Sequence, residues 1–122
     1  MESADGNLHI VFNGEIYDYK ELREELEASG ISFRTHSDTE VLVNTIQQYG
    51  EKALDKLRGM FGFAVWDEKE QTLMLARDFF GMKPVYYAEI DGHFVFASEI
   101  RVIPAFPGYE RKVNQKALEQ YL

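Results

Sequence analysis

The sequence contains no cysteine, so disulfide bonds, thiolate metal sites and a cysteine nucleophile are excluded within its 122 residues. Basic residues are also few: 13 Lys and Arg stand against 21 Asp and Glu, giving a net charge of -8. This balance favours solubility and argues against binding to nucleic acid or to an anionic membrane, which both need clustered cations. No apolar run approaches the roughly 18 residues of a membrane-spanning helix, and no signal peptide is visible. We expect a cytoplasmic protein, since the lack of cysteine is compatible with that compartment.

Aromatic residues are plentiful, with nine Phe, seven Tyr and one Trp. Surface of this kind must be buried, so the composition predicts a folded domain or part of one rather than a disordered chain. Hydrophobic periodicity and turn residues predict strands over 8–12, 33–35, 60–66, 72–76, 85–90 and 93–97, and helices over 18–29, 39–49, 51–57 and 98–105. A last helix is predicted after Asn114, with Leu118 and Leu122 on one face. The order of helices followed by two β-hairpins indicates an α+β fold with antiparallel sheets.

The dipeptide Asn13-Gly14 has two possible meanings. Between residues that favour strands, Asn-Gly is typical of a type I′ hairpin turn, and spacing alone favours that interpretation. Alternatively, the Asn13 side-chain amide and the Gly14 N–H both point at one oxygen and stabilise an oxyanion. The absence of a side chain at Gly14 would allow a ligand to approach its backbone closely.

Two carboxylates accompany this dipeptide, Glu15 and Asp38. Glu15 can be a solvated charge at a strand edge, and Asp38 can complement a helix dipole behind a capping box of Ser37 and Glu40. A similar capping box is predicted for Asp18 at the start of the first helix. The functional alternative is that Glu15 and Asp38 together bind an ammonium group through charge-assisted hydrogen bonds.

Other chemical signals are weak. His9, His36 and His93 show no ligand spacing, so no metal site is predicted. The segment DFFGMKPVYY, beginning at Asp78, has Gly81 and Lys83 but lacks the glycine-rich cradle of a phosphate loop. Arg77-Asp78 before it is most simply a structural ion pair or a loop anchor.

The segment VFNGEIYDYKELREELEASGISFRTHSDTEVLV resembles the glutaminase domain of class II glutamine amidotransferases. LRGMFGFAVWD, ARDFFGMKPVYY and FASEI narrow the resemblance to the asparagine synthetase branch, and it covers the chain from about Leu8 to Ile103. The resemblance implies an N-terminal-nucleophile hydrolase fold, in which two antiparallel sheets packed face to face are flanked by helices (αββα). It also implies that Asn13 and Gly14 form the oxyanion hole, while Glu15 and Asp38 hold the α-amino group of L-glutamine.

The sequence departs from the family in ways that bear on activity. In the family a longer segment precedes the NG element and carries the nucleophilic cysteine and an arginine for the α-carboxylate. The chain over residues 1–122 is therefore expected to be a partial glutaminase domain, incomplete at its N-terminus and without the synthetase domain that binds ATP and Mg²⁺. Smaller departures are Asp18, where the family usually has Asn, and Phe79, where Arg is common.

The resemblance implies a parent enzyme of asparagine biosynthesis that hydrolyses glutamine to glutamate and ammonia and amidates aspartate with ATP. The chain alone, which needs no cofactor for this part, is expected to lack glutaminase activity because no nucleophile is present. Two alternatives remain open: an amidotransferase-like binding or scaffold module, and the glutaminase domain of a synthetase that amidates another carboxylate. Exposed sheet edges are expected to make the chain a homo-oligomer.

Overall fold

A computed structural model describes residues Met1 to Tyr121. The chain divides into two compact units, Met1–Val85 and Tyr86–Leu122. Leu122, for which a place on the last helix is predicted, lies outside the described residues.

The first unit combines a three-stranded antiparallel sheet with two α-helices. Its elements are β1 (Leu8–Ile16), α1 (Tyr19–Ala28), α2 (Asp38–Tyr49), a 3₁₀ helix (Gly50–Lys56), β2 (Gly59–Asp67) and β3 (Thr72–Arg77). The strand order is β1-β2-β3, so β1 and β3 are the two edges of the sheet. Pairing of β1 with β2 runs without interruption from Leu8 opposite Asp67 to Ile16 opposite Gly59.

One face of this sheet packs on the helices and forms the core. Residues alternate between the faces along β1, and Leu8, Ile10 and Ile16 are buried on the inner face. Their partners in the core share an aliphatic or aromatic side chain and are almost fully buried: Leu22 and Leu26 from α1, Val41, Leu42, Val43 and Ile46 from α2, and Phe61, Phe63 and Val65 from β2. The near-continuous apolar run predicted for β2 is thus confirmed as a central strand.

The predicted capping boxes are wrong in detail. Asp18 is the N-cap residue of α1 but makes no capping hydrogen bond, because its Oδ1 accepts the N–H of Arg58 at 3.1 Å instead. Ser37 does cap α2, accepting the Thr39 N–H at 3.1 Å. The Glu40 carboxylate does not accept the Ser37 N–H, because it accepts the N–H groups of Arg34 and Thr35 instead.

The strand predicted over 33–35 is absent among the described residues, and Glu40 explains why. Its carboxylate accepts the N–H groups of Arg34 at 2.8 Å and Thr35 at 2.7 Å, and the Thr35 hydroxyl at 2.5 Å. These donors would otherwise pair with a neighbouring strand, so the segment is fixed as a loop leading into α2.

The second unit contains a β-hairpin followed by short helices. Its elements are β4 (Tyr86–Ile90), β5 (His93–Ala97), a 3₁₀ helix (Ile100–Ala105) and α3 (Gln115–Tyr121). Asp91 and Gly92 both have positive φ, 47° and 76°, as the predicted two-residue hairpin turn requires. Asn114 caps α3, because its Oδ1 accepts the Ala117 N–H at 3.0 Å.

The fold class is confirmed as α+β, with two antiparallel sheets and accompanying helices. Among residues 1–121, no helix has the length and apolar character needed to cross a membrane.

Candidate functional site

Asn13 and Gly14 lie inside β1 and do not form a turn, so the hairpin interpretation is wrong. They pair with Gly62 and Phe61 of β2. Asn13 is exposed on the face opposite the core, and among residues 1–121 its side-chain amide makes no hydrogen bond. The amide is therefore free to bind a ligand.

Gly14 is required by the close approach of β1 to β2. Its φ of 155° is one that side chains rarely adopt, and a Cβ added there would collide with the Met60 carbonyl oxygen and lie 2.7 Å from the Phe61 Cα. Gly59 is equally tight, since its Cβ would meet the Glu15 carbonyl oxygen. The backbones of β1 and β2 are therefore in close contact at Gly14. This contact fixes the position of the Gly14 backbone.

Backbone alternation directs the Gly14 N–H away from β2. Tyr17 donates its N–H to the Arg58 carbonyl at 2.7 Å, on the β2 side of the sheet. In an antiparallel pair the N–H and C=O of successive residues point to opposite edges. Since Tyr17 faces β2, Gly14, three positions earlier, faces the outer edge of β1.

That outer edge is covered at both ends and open in between. At one end Ile10 donates its N–H to the Met1 carbonyl at 2.8 Å. At the other end Ile16 donates its N–H to Asp38 Oδ2 at 3.1 Å. Gly14 lies between these two points, so its N–H is presented at an open stretch of the strand edge.

Asp38 reaches this edge because it is the first residue of α2. Ser37 fixes the start of the helix, and Glu40 fixes the loop before it. Burial disfavours the ionised form of Glu40, but the hydrogen bonds from Arg34 and Thr35 outweigh burial and hold the pKa of Glu40 below its ordinary value of 4.5. An ionised, buried Glu40 therefore locks the loop that carries Asp38.

The structure brings all four predicted site residues to one end of β1. Gly14 and Ile16 are two residues apart on the same edge, so their N–H groups are separated by about 7 Å. Asp38 lies at the Ile16 end, and Glu15 is exposed between the two positions. The arrangement offers two hydrogen-bond donors near Gly14 and two carboxylates near Ile16.

Asp78 anchors the segment that follows β3. It is 5% exposed, and its carboxylate accepts backbone N–H groups from Phe61 at 3.1 Å, Met82 at 2.9 Å and Lys83 at 3.1 Å. Burial acts against the ionised form, but these hydrogen bonds prevail and keep the pKa of Asp78 below 3.8. Of the two interpretations offered for Asp78, the loop anchor is confirmed.

Among residues 1–121, the structure places no three or more His, Asp or Glu side chains in a group that could hold a metal ion. His9 instead lies 3.6 Å from Glu2 and 3.7 Å from Glu68, as a surface ion pair when protonated.

Comparison with known proteins identifies a family. A family model described as a glutamine amidotransferase domain matches residues 1–122. Glutamine-hydrolysing asparagine synthetase 1 of Bacillus subtilis is 48% identical over 122 residues, which are 100% of this chain and 19% of that protein. Glutamine-hydrolysing asparagine synthetase 3 of the same organism is 43% identical over 111 residues, covering 91% of this chain and 18% of that protein.

A solved structure with a similar fold is also an amidotransferase. Glutamine phosphoribosylpyrophosphate amidotransferase from B. subtilis, complexed with ADP and GMP, superimposes with a TM-score of 0.70 at 28% identity. The match covers 84% of this chain and 24% of that one. The chain thus spans about a fifth of the length of the curated relatives it matches.

Proposed function

The chain belongs to the glutamine amidotransferase domain family, and we propose that it forms the glutamine-binding part of a glutamine-dependent asparagine synthetase. The observation that carries this proposal is the open edge of β1, where the Gly14 N–H lies in the uncovered stretch and the Asp38 carboxylate covers its end at Ile16.

The dimensions of the edge suit glutamine. Standard bond lengths separate the α-amino nitrogen of extended glutamine from its side-chain carbonyl oxygen by about 5 to 6 Å. The N–H groups of Gly14 and Ile16 are about 7 Å apart along the edge. In the proposed complex Asp38 and Glu15 accept the ammonium protons, and the amide oxygen lies against Gly14 and Asn13.

The proposed chemistry is hydrolysis of the side-chain amide, in which glutamine and water give glutamate and ammonia. When a nucleophile attacks the amide carbon, the carbonyl oxygen gains negative charge. The Gly14 N–H and the Asn13 amide then stabilise that charge, and one such donor is worth roughly 3 to 4 kcal/mol of the barrier. The cysteine nucleophile that the family resemblance implies is not among these residues, because the sequence has no cysteine.

For the whole protein, we propose that the ammonia amidates aspartate in an ATP- and Mg²⁺-dependent reaction. Residues 1–121 contain no glycine-rich phosphate loop, which a site for the ATP phosphates would favour. The proposal therefore assigns ATP and Mg²⁺ to a region of the protein outside these residues. Cytoplasmic location is part of the same proposal and is compatible with the absence of cysteine.

Assembly is also proposed. Between Ile10 and Ile16 the outer edge of β1 carries unpaired backbone groups, which recruit strands from other chains. We therefore expect homo-oligomers formed through this edge, in which the added strand covers the Gly14 N–H and competes with glutamine for it.

Two measurements test the function of the chain itself. Titration of the purified protein with L-glutamine should move the backbone amide resonance of Gly14 in a saturable way at millimolar concentration. Glutamate release should stay at the level of buffer alone. Glutamine turnover that Asn13→Ala abolishes would contradict the proposed inactivity, and no resonance change at any glutamine concentration would contradict the proposed binding.

The identity of the molecule that accepts the ammonia is tested by expressing the full-length gene. Rescue of an asparagine-requiring bacterial strain would support aspartate as the acceptor. Failure to rescue, combined with glutamine-dependent amidation of another carboxylate by the purified full-length protein, would overturn it.

A further inference from the structure

Asp78 has contacts that reach both residues of the proposed oxyanion hole. It follows β3 directly, and its backbone N–H continues the β3 pairing by donating to the Phe61 carbonyl at 2.8 Å. Its carboxylate then accepts the Phe61 N–H, so Asp78 binds both backbone groups on one side of Phe61. On the other side of Phe61 lies Gly14.

The first connection therefore runs from Asp78 through Phe61 to Gly14. Gly14 is in such close contact with β2 that even a methyl group would strike Met60 and Phe61. Any shift of Phe61 is therefore transmitted to the Gly14 backbone, because close-packed atoms cannot absorb it. The direction of the Gly14 N–H thus depends on Asp78.

The second connection runs through the loop over residues 79–85. Asp78 fixes this loop by accepting the N–H groups of Met82 and Lys83. The loop in turn covers Gly62, where an added Cβ would lie 2.7 Å from Val85 Cγ2. Gly62 is the partner of Asn13 across the β1–β2 pair, so the Asn13 side chain and the loop occupy neighbouring positions on the same face of the sheet.

We propose that Asp78 is a positioning residue for both oxyanion donors, the Gly14 N–H through Phe61 and the Asn13 amide through the loop over Gly62. This inference rests on the proposed function, since it assigns a role within that same site. Asp78 itself is buried, and Phe61 lies between it and Gly14, so we assign it no contact with the substrate.

Asp67 provides a matched control at the opposite end of β2. Its Oδ1 also accepts three N–H groups, from Asn7 Nδ2 at 3.0 Å, Lys69 at 2.9 Å and Glu70 at 3.0 Å. Loss of either carboxylate removes the anchor of one loop next to β2. Only the loss of Asp78 should disturb Asn13 and Gly14.

The first experiment follows the Gly14 amide in the ligand-free protein. The sequence contains a single Asn-Gly pair, so carbonyl-¹³C asparagine combined with ¹⁵N glycine selects the Gly14 amide alone in an NMR spectrum. We expect Asp78→Ala to move this resonance and Asp67→Ala to leave it in place. If Asp78→Ala does not fold, Asp78→Asn replaces it, since the amide keeps the volume while presenting a donor to the Phe61 and Lys83 N–H groups.

The second experiment compares L-glutamine with L-norvaline, which has the same α-amino and α-carboxylate groups but no side-chain amide. In Asp78→Ala, affinity for glutamine should fall about tenfold or more, while affinity for norvaline stays within twofold. A merely structural role would weaken both ligands equally, and that result overturns the proposal. So does a Gly14 resonance that is unchanged in the Asp78 variant. If the wild-type protein binds no glutamine, the proposed function fails, and the Gly14 resonance still decides the role of Asp78.

Discussion

Asp38 Oδ2 accepts the backbone N–H of Ile16 at 3.1 Å, and this hydrogen bond joins the first residue of α2 to the last residue of β1. A residue 22 positions further along the chain is thereby held beside Asn13, Gly14 and Glu15. The same carboxylate has a structural and a proposed binding role, and substitutions can separate the two.

Asp38→Asn should leave the fold intact and weaken the binding of glutamine. The asparagine carbonyl can still accept the Ile16 N–H, so the free energy of unfolding should change by less than about 1 kcal/mol. Removal of the charge should weaken glutamine binding about tenfold to a hundredfold, the loss expected for a charge-assisted hydrogen bond. An NMR titration with L-glutamine and urea denaturation of both proteins check this. Unchanged affinity would remove Asp38 from the ammonium site.

Gly14→Ala should destabilise the protein strongly, because the new methyl group meets the Met60 carbonyl in a close-packed strand pair. We expect a loss of about 3 kcal/mol in urea denaturation. Gly30→Ala is the matched control, since Gly30 also has positive φ, 89°, but no atom within 4 Å of the added Cβ. Its cost should be about 1 kcal/mol. Equal losses in the two variants would show that backbone conformation, not contact with β2, sets the requirement at Gly14.

Glu40 should make stability depend on acid pH. Its pKa in the folded protein lies below the ordinary value of 4.5, so its stabilising effect is complete above pH 4.5 and is lost as pH falls through the lower, folded value. Glu40→Gln should cost about 3 kcal/mol at pH 7, because charged hydrogen bonds to Arg34 and Thr35 are lost. The difference between variant and wild type should shrink as the pH is lowered below 4.5. Urea denaturation at a series of pH values measures this, and a constant difference would contradict it.

Val11→Lys should dissociate oligomers formed through β1. Val11 lies in the open stretch of this edge strand with 59% of its surface exposed, so a lysine there opposes edge pairing without disturbing the core. Val113→Lys is the control, since Val113 is 69% exposed and outside every strand. Light scattering coupled to size-exclusion chromatography should give a lower mass for Val11→Lys only. A wild-type protein that is monomeric at all micromolar concentrations would contradict the proposed assembly.

Much of the element order could be predicted from the sequence, because the strands and helices have clear periodicities. The errors fall where a distant residue overrides a local pattern. Asn13-Gly14 has the composition of a turn, but nine residues of pairing with β2 keep it extended. The segment over 33–35 has strand composition, yet Glu40 takes its N–H groups.

The candidate site was predicted only through family resemblance, since spacing alone left Glu15 and Asp38 as ordinary surface charges. Local sequence holds no sign that Asp38 meets β1 at Ile16, because that contact depends on how α2 packs against the sheet. The connection from Asp78 through Phe61 to Gly14 is also not visible in the local sequence. It requires the pairing of three successive strands to be known.

The extended conformation of Asn13-Gly14 also affects the chemical lifetime of the protein. In Asn-Gly sequences the glycine nitrogen attacks the asparagine side-chain carbonyl carbon and expels ammonia, and water then opens the resulting ring to aspartate or isoaspartate. That attack needs a backbone rotation, which the tight pairing of β1 with β2 opposes. The rate at which Asn13 converts to aspartate or isoaspartate is therefore limited by the fraction of molecules that unfold. Each event would place a negative charge where the site must stabilise one, so loss of fold and permanent loss of the glutamine site are linked.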